Sequence, residues 1–253
     1  AAIGPDDYVS RWGGDEFVIL RAGLSDESTM RFAERIIADL SRPMWIEGAE
    51  VVVGASVGVA ICVGGAISMD ALLQQADMAL YTAKREARGS CRLYEMSMSE
   101  RAHERRLLEL DLQAALAART FELHYQPIVD IETGELVSFE ALARWPREGG
   151  YVPPSEFIPI AEEYGLIDAL GQWMLRRACG EAAMWDPPYR VAVNLSPFQL
   201  TRASLPETIA DILRETGLPP HRLELELTES AIIRDAEASL RIMRRIRELG
   251  VSL

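Results

Sequence analysis

LELELTES, Leu223 to Ser230, alternates two residue types: Leu223, Leu225 and Leu227 fall on one face of an extended strand, and Glu224, Glu226 and Thr228 on the other. If the leucines meet a layer of helices, the glutamates point into the middle of a sheet or barrel, a costly place for a carboxylate that lacks a cation. Three further stretches read as strands: FELHYQPIV (Phe121 to Val129), LVSFEALARW (Leu136 to Trp145) and YRVAVNLSP (Tyr189 to Pro197). Helical sequence separates or follows them at Pro154 to Gly165, Ile167 to Trp185, Leu205 to Gly217 and Asp235 to Gly250. Strands alternating with amphipathic helices predict an α/β architecture, with parallel pairing through right-handed crossovers. Val251-Ser252-Leu253, after a helix closed by Gly250, reads as the start of another strand, so the expectation is a truncated rather than a finished domain.

The same period of two places Glu140, Leu142 and Arg144 on one face, and Ala192, Asn194 and Ser196 on one face. Glu140, Asn194 and Glu226 therefore come from three successive strands near their C-terminal ends, where parallel α/β folds build active sites. Three oxygen ligands without histidine or cysteine favour Mg²⁺, Mn²⁺ or Ca²⁺ over zinc. Arg144 lies within reach to grip a phosphate with its planar fork. Read on their own, the same residues also fit strand charges facing water, with Asn194 in a turn.

At 253 residues the chain has room for one large domain or two ordinary ones. Its formal net charge of −13 argues against a general nucleic-acid or anionic-membrane binder and requires a metal to bridge any phosphate ester to an acidic site. Cys62, Cys91 and Cys179 have no paired spacing for zinc or a redox disulfide, which fits a reducing cytoplasm. No signal-peptide pattern opens the chain, and the uncharged stretch Val51 to Met69 reads as a buried strand with a Gly64-Gly65 turn rather than a membrane helix.

The N-terminal part carries RWGGDEFVIL, Arg11 to Leu20. Val18, Ile19 and Leu20 read as a strand fed by a Gly13-Gly14 turn, and Asp15 and Glu16 stand side by side at its rim. A solvated turn and a rim that holds a hard cation beside a phosphate both fit. Helices are expected at Asp26 to Leu40, with Ser25 and Asp26 as capping candidates, and from about Met69 to Arg85. Lys84, the only lysine in the chain, and Arg88 lie one helical turn apart if that helix persists. This α+β part has too few strands to close a core alone. A charged helix, Ser99 to Arg119, is expected to connect it to the strand-and-helix part, giving boundaries at 1–96, 97–119 and 120–253.

Two sets of motifs carry a resemblance. RWGGDEFVIL with ADMALYTAKREARG is similar to the diguanylate cyclase (GGDEF) family; YQPIVD, FEALARW, FIPIAEEYGLI, VAVNLSPFQ and LELTES resemble the EAL family of cyclic di-GMP phosphodiesterases, in the usual tandem order. The second resemblance implies half of a TIM-like barrel that hydrolyses cyclic di-GMP to linear pGpG with Mg²⁺ or Mn²⁺. It implies Glu140, Asn194 and Glu226 as metal ligands, Glu229 bracing the site, Arg144 on a ligand phosphate, and Gln126 and Leu142 lining the pocket. The first implies Gly13 and Gly14 under GTP, Asp15 and Glu16 serving metal and catalysis, and Lys84 with Arg88 on the phosphates, in a homodimer. That family's product-inhibition motif would put an aspartate at Asp7 and an arginine at position 4, which is Gly4, with Arg35 as a secondary arginine. The EAL family's later aspartate pair, lysine, glutamate and glutamine fall beyond Leu253, so the chain alone is expected to be inactive and its longer parent a cytoplasmic enzyme, with a membrane anchor in a missing N-terminal region as the alternative. A non-catalytic cyclic di-GMP receptor, a GTP-regulated module and an unrelated metabolite enzyme on a barrel are the alternatives.

Overall fold

The computed structural model describes residues 3–4, 7–64, 67–227 and 236–253. They form two compact units, 1–104 and 105–253.

In the first unit, β1 (Tyr8–Gly13) and β2 (Glu16–Leu20) form an antiparallel hairpin in which Gly13 pairs with Glu16. The turn is therefore Gly14-Asp15, one residue later than the Gly13-Gly14 turn the sequence predicts. Gly14 takes a φ of 49°, and the Arg11 guanidinium donates to its carbonyl at 2.6 and 2.9 Å. Helix α1 (Asp26–Leu40) starts on Ser25, whose hydroxyl accepts from the Ser28 N–H; α2 (Met69–Glu86) starts on Ser68 in the same way. A short hairpin, β3 (Met44–Ile46) and β4 (Ala49–Val51), turns at Glu47 and Gly48 and has no counterpart in the sequence reading. Within Val51 to Met69 the buried strand is short, β5 (Val57–Val59), and runs parallel to β6 (Cys91–Leu93). Ala33, Val59 and Cys91 make a small core with Met30, Ile37, Ile61 and Leu93 around it.

Helix α2 stops at Glu86. Ala87 is extended and Gly89 turns at a φ of 83°, its N–H donating to the Ser56 hydroxyl at 3.1 Å. Arg88 thus lies in a turn, and the expected helical face shared by Lys84 and Arg88 does not form.

Helix α3 (Met96–Ala118) runs through the division between the units. The second unit then continues with β7 (Glu122–Val129), β8 (Leu136–Arg147), β9 (Gly150–Val152), α4 (Pro154–Glu163), α5 (Ile167–Ala183), β10 (Arg190–Leu195), α6 (Leu205–Thr216), β11 (Leu223–Leu227) and α7 (Ala236–Glu248). Strand order is β7, β8, β10, β11, with β8, β10 and β11 mutually parallel and β9 paired to β8. Strand β7 is antiparallel to β8, against the all-parallel expectation. The link between them is too short for a crossover, and the Asp130 carboxylate tightens it by accepting the N–H groups of Glu132 and Thr133. Ser252 makes an isolated parallel bridge to Glu224, at the place where the sequence reading expects a strand to start.

The leucine row of β11 meets the helices. Leu223 and Leu225 are fully buried with Val191 and Val193 of β10, Leu175 and Ala178 of α5, and Ile209 and Ile212 of α6. Each such leucine, isoleucine or valine side chain contributes about 1.5–3 kcal/mol on leaving water. That burial fixes which face of the sheet is left for the glutamates, and Glu224 and Glu226 are half-buried on it. Among the described residues no helix is long and apolar enough to cross a membrane.

Candidate functional site

Register brings the predicted residues to one side of the sheet. Asn194 pairs with Glu226 across β10 and β11, Ala192 pairs with Glu140 across β10 and β8, and Gln126 of β7 pairs with Glu140 from the other side. Glu140 therefore sits one step lower than Asn194 and Glu226, and the Asn194 side chain closes that gap. Its Nδ2 donates to Glu140 Oε1 at 2.6 Å, a short charge-assisted bond. The amide's Oδ1 remains available as an acceptor or ligand.

Glu226 shows what this arrangement costs. Its carboxyl is pushed above the usual range, first by burial and then by the negative charges of Glu140 and Glu224. Among the described residues no group of three or more His, Cys, Asp and Glu side chains could hold an ion; in this row the third donor is the Asn194 carboxamide. Two crowded carboxylates and an amide oxygen are an all-oxygen donor set with uncompensated negative charge, which fits a hard divalent cation. Glu229 lies outside the described residues.

Further along the same face, Leu142 pairs with His124 and Arg144 with Glu122. Leu142 and Arg144 are half-buried, and Gln126 is exposed. Arg144 donates through Nη1 to its neighbour's carbonyl, that of Ala143, at 3.1 Å. Beside it the Tyr151 hydroxyl donates to Glu122 Oε2 at 2.9 Å, and this bond raises the phenol's pKa while the Arg144 charge opposes the rise. His124 stands edge-on to Tyr151 with ring centres 5.5 Å apart, its Nε2 3.5 Å from Glu122. Sequence reasoning missed Glu122, His124 and Tyr151. The signal for the first two was present, because in FELHYQPIV the period of two puts Glu122, His124 and Gln126 on one face. Tyr151 had none, since β9 reaches the site by folding back on β8.

In the first unit, Gly13, Gly14 and Asp15 form the exposed tip of the β1–β2 hairpin. Lys84 Nζ approaches Glu16 Oε1 at 4.0 Å, with both side chains about half exposed. Helix α2 and the hairpin thus bring an ammonium to the rim carboxylate, and Arg88 lies in the turn that follows the helix. Asp7 accepts the Gly4 N–H at 2.7 Å and lies 3.4 Å from Arg21.

Comparison with known proteins respects the same division. The EAL domain model matches residues 109–253, and the model described as diguanylate cyclase, GGDEF domain, matches residues 1–90. An uncharacterized signaling protein of Caulobacter vibrioides is 43% identical over 256 residues, covering 100% of this chain and 32% of its own length. The bifunctional diguanylate cyclase/cyclic di-GMP phosphodiesterase MucR of Pseudomonas aeruginosa is 36% identical, covering 100% of this chain and 38% of its own length. The solved PaMucR phosphodiesterase, c-di-GMP complex, is 39% identical with a TM-score of 0.55, over 57% of this chain and 61% of that one. The chain spans about a third of the length of these curated relatives.

Proposed function

Since the chain belongs to the EAL family, with a GGDEF match preceding it, we propose that the protein containing it hydrolyses cyclic di-GMP to linear pGpG. EAL domains, which form TIM-like barrels, are generally dependent on a divalent metal. The observation that carries the reading is the row of Glu140, Asn194 and Glu226, joined by the Asn194–Glu140 bond and the Asn194–Glu226 register. These three would hold Mg²⁺ or Mn²⁺, with Glu229 bracing the site; a bound divalent ion lowers the pKa of a water and neutralises charge on a phosphate. Arg144, two residues beyond Leu142 on the same strand face, grips the phosphate's outer oxygens. Gln126 and Leu142 line the pocket and orient the nucleotide for attack in line with the leaving oxygen. The Glu122–Tyr151 pair flanks Arg144, which Glu122 faces across β7 and β8.

The first unit binds GTP in this reading. Gly13 and Gly14 leave room for the nucleotide, Asp15 and Glu16 meet its metal, and Lys84 and Arg88 hold its phosphates, in a homodimer that brings two GTP molecules together. The Lys84–Glu16 approach supports it, because an ammonium beside a rim carboxylate is where a metal-bound triphosphate meets both charges. Nucleotide substrates put both units in the cytoplasm, with the GGDEF part at 1–96, a linker at 97–119 and the EAL part from 120.

The test is the full gene product incubated with cyclic di-GMP, with and without Mn²⁺, and read by chromatography. Metal-dependent linear pGpG is the expected product. Ligand that stays bound and intact through prolonged incubation with metal would make the protein a receptor instead.

A further inference from the structure

The motif FIPIAEEYGLI contains a carboxylate that neither proposed site uses. Glu162, in the last turn of α4, is half-buried and accepts a hydrogen bond from the Ser196 hydroxyl at 2.6 Å. Ser196 lies two residues past Asn194, beyond the end of β10, whose last ladder pair is Leu195 with Leu227. The sheet therefore does not hold Ser196 in place, and side chains do. Its N–H donates to Gln199 Oε1 at 3.1 Å where a next strand bond would otherwise run, and its Oγ accepts the Phe198 N–H at 3.2 Å while donating to Glu162. The hydroxyl proton is thus committed to Glu162.

Both anchors are themselves fixed. Gln199 is buried at 4% exposure, and Gly171 of α5 lets it lie there, because a Cβ at that position would stand 2.1 Å from Gln199 Nε2. Glu163, next to Glu162, is tied to Arg105 of α3 at 2.5 Å, which pins the end of α4.

From this geometry we infer that Glu162, acting through Ser196, is a positioning residue for Asn194: it fixes the chain just past β10, and with it the orientation in which the Asn194 amide gives its N–H to Glu140 and keeps its oxygen for a cation. The inference rests on the metal-site reading above. Outer partners of metal ligands act in this way, and their loss typically weakens metal affinity by about 10–100-fold.

The experiment reads the Asn194 side-chain amide directly, by ¹H–¹⁵N spectroscopy of the 253-residue chain without metal or substrate, assigned with Asn194→Ala. Glu162→Ala and Ser196→Ala are expected to move the Asn194 Nδ2 resonance, while Glu162→Gln, which keeps an acceptor oxygen, retains it. Mn²⁺ titrations of the same proteins, followed by the paramagnetic resonance of free Mn²⁺, are expected to show about tenfold weaker binding for the two alanine variants and near wild-type binding for Glu162→Gln. An unmoved Asn194 resonance in both alanine variants overturns the inference; so does equal damage in Glu162→Gln and Glu162→Ala. Ser196→Ala removes the same bond, together with the one from the Phe198 N–H, without touching α4, so an unmoved Asn194 resonance in it overturns the inference even if Glu162→Ala fails to fold. A protein that never hydrolyses cyclic di-GMP would remove the proposed function and still leave the amide resonance to decide this one.

Discussion

Arg222 sets the level at which β11 meets its neighbours. At 7% exposure it stands just before β11, at the end opposite Glu226, and its guanidinium bonds backbone carbonyls: Nε and Nη2 to Tyr189 at 3.0 and 2.7 Å, and Nη2 to Ala182 at 2.7 Å. These bonds join the start of β11 to the end of α5 and the approach to β10. Arg222→Ala leaves the Tyr189 carbonyl without both bonds, whereas Ala182 keeps the Trp185 N–H at 3.1 Å. A hydrogen bond from a charged donor is worth about 1.5–3 kcal/mol, so with one acceptor rescued the expected loss is about 2–4 kcal/mol. Arg222→Lys keeps the charge and loses the fork, costing about 1–2 kcal/mol. Urea unfolding, followed by tryptophan fluorescence after replacing the exposed Trp12 and Trp45 of the first unit, isolates the second unit's signal. With a slope of about 2 kcal/mol per molar urea, the midpoint for Arg222→Ala falls by about 1–2 M. A fall of less than about 0.3 M would be contrary, because three bonds from a buried cation would then contribute nothing net.

Other expectations rest on the same geometry. Glu226→Gln should raise the thermal midpoint of the metal-free chain by about 1–3 °C, since a raised carboxyl pKa means that ionisation costs stability as pH rises past the unfolded value. Added Mn²⁺ should then stabilise the wild type and not the variant. Glu207, held below its ordinary 4.5 by the Arg245 hydrogen bond that ties α6 to α7, contributes stability above the unfolded pKa and loses it as pH falls through the folded one. The wild-type advantage over Glu207→Gln in thermal melts should therefore vanish on acidification; an advantage that grows instead would be contrary. Burial pushes the Cys179 thiol up to about 12 and raises Cys91 as well, so a disulfide reagent at mildly alkaline pH should label the half-buried Cys62 first and reach the other two on unfolding.

Where a single period governed a segment, the sequence was legible. Alternation in LELELTES named the leucines that meet the helices and the glutamates that do not, and helix α1 falls at Asp26–Leu40 as its apolar face and Ser25 cap require. Connections were harder. Pairing of β7 with β8 depends on a short Asp130 turn rather than on either strand's pattern, and Arg88 falls outside its helix because the chain is already extended at Ala87 and turns at Gly89. In the site, strand positions Glu140, Asn194 and Glu226 could be read from spacing, but the Asn194–Glu140 bond, the Tyr151–Glu122 bond and the Ser196–Glu162 bond join residues far apart in sequence. Such bonds depend on how the chain returns on itself, which no local period encodes.

Metal-dependent hydrolysis at the Glu140, Asn194 and Glu226 row is measured by forming the complex of the full gene product with cyclic di-GMP in chelator, then adding excess Mn²⁺ and monitoring the bound nucleotide by chromatography, for wild type, Glu140→Gln and Asn194→Ala. The wild type is expected to yield linear pGpG within the assay, and both variants to leave cyclic di-GMP intact, with rates down at least about 100-fold. Hydrolysis by either variant at the wild-type rate would contradict it.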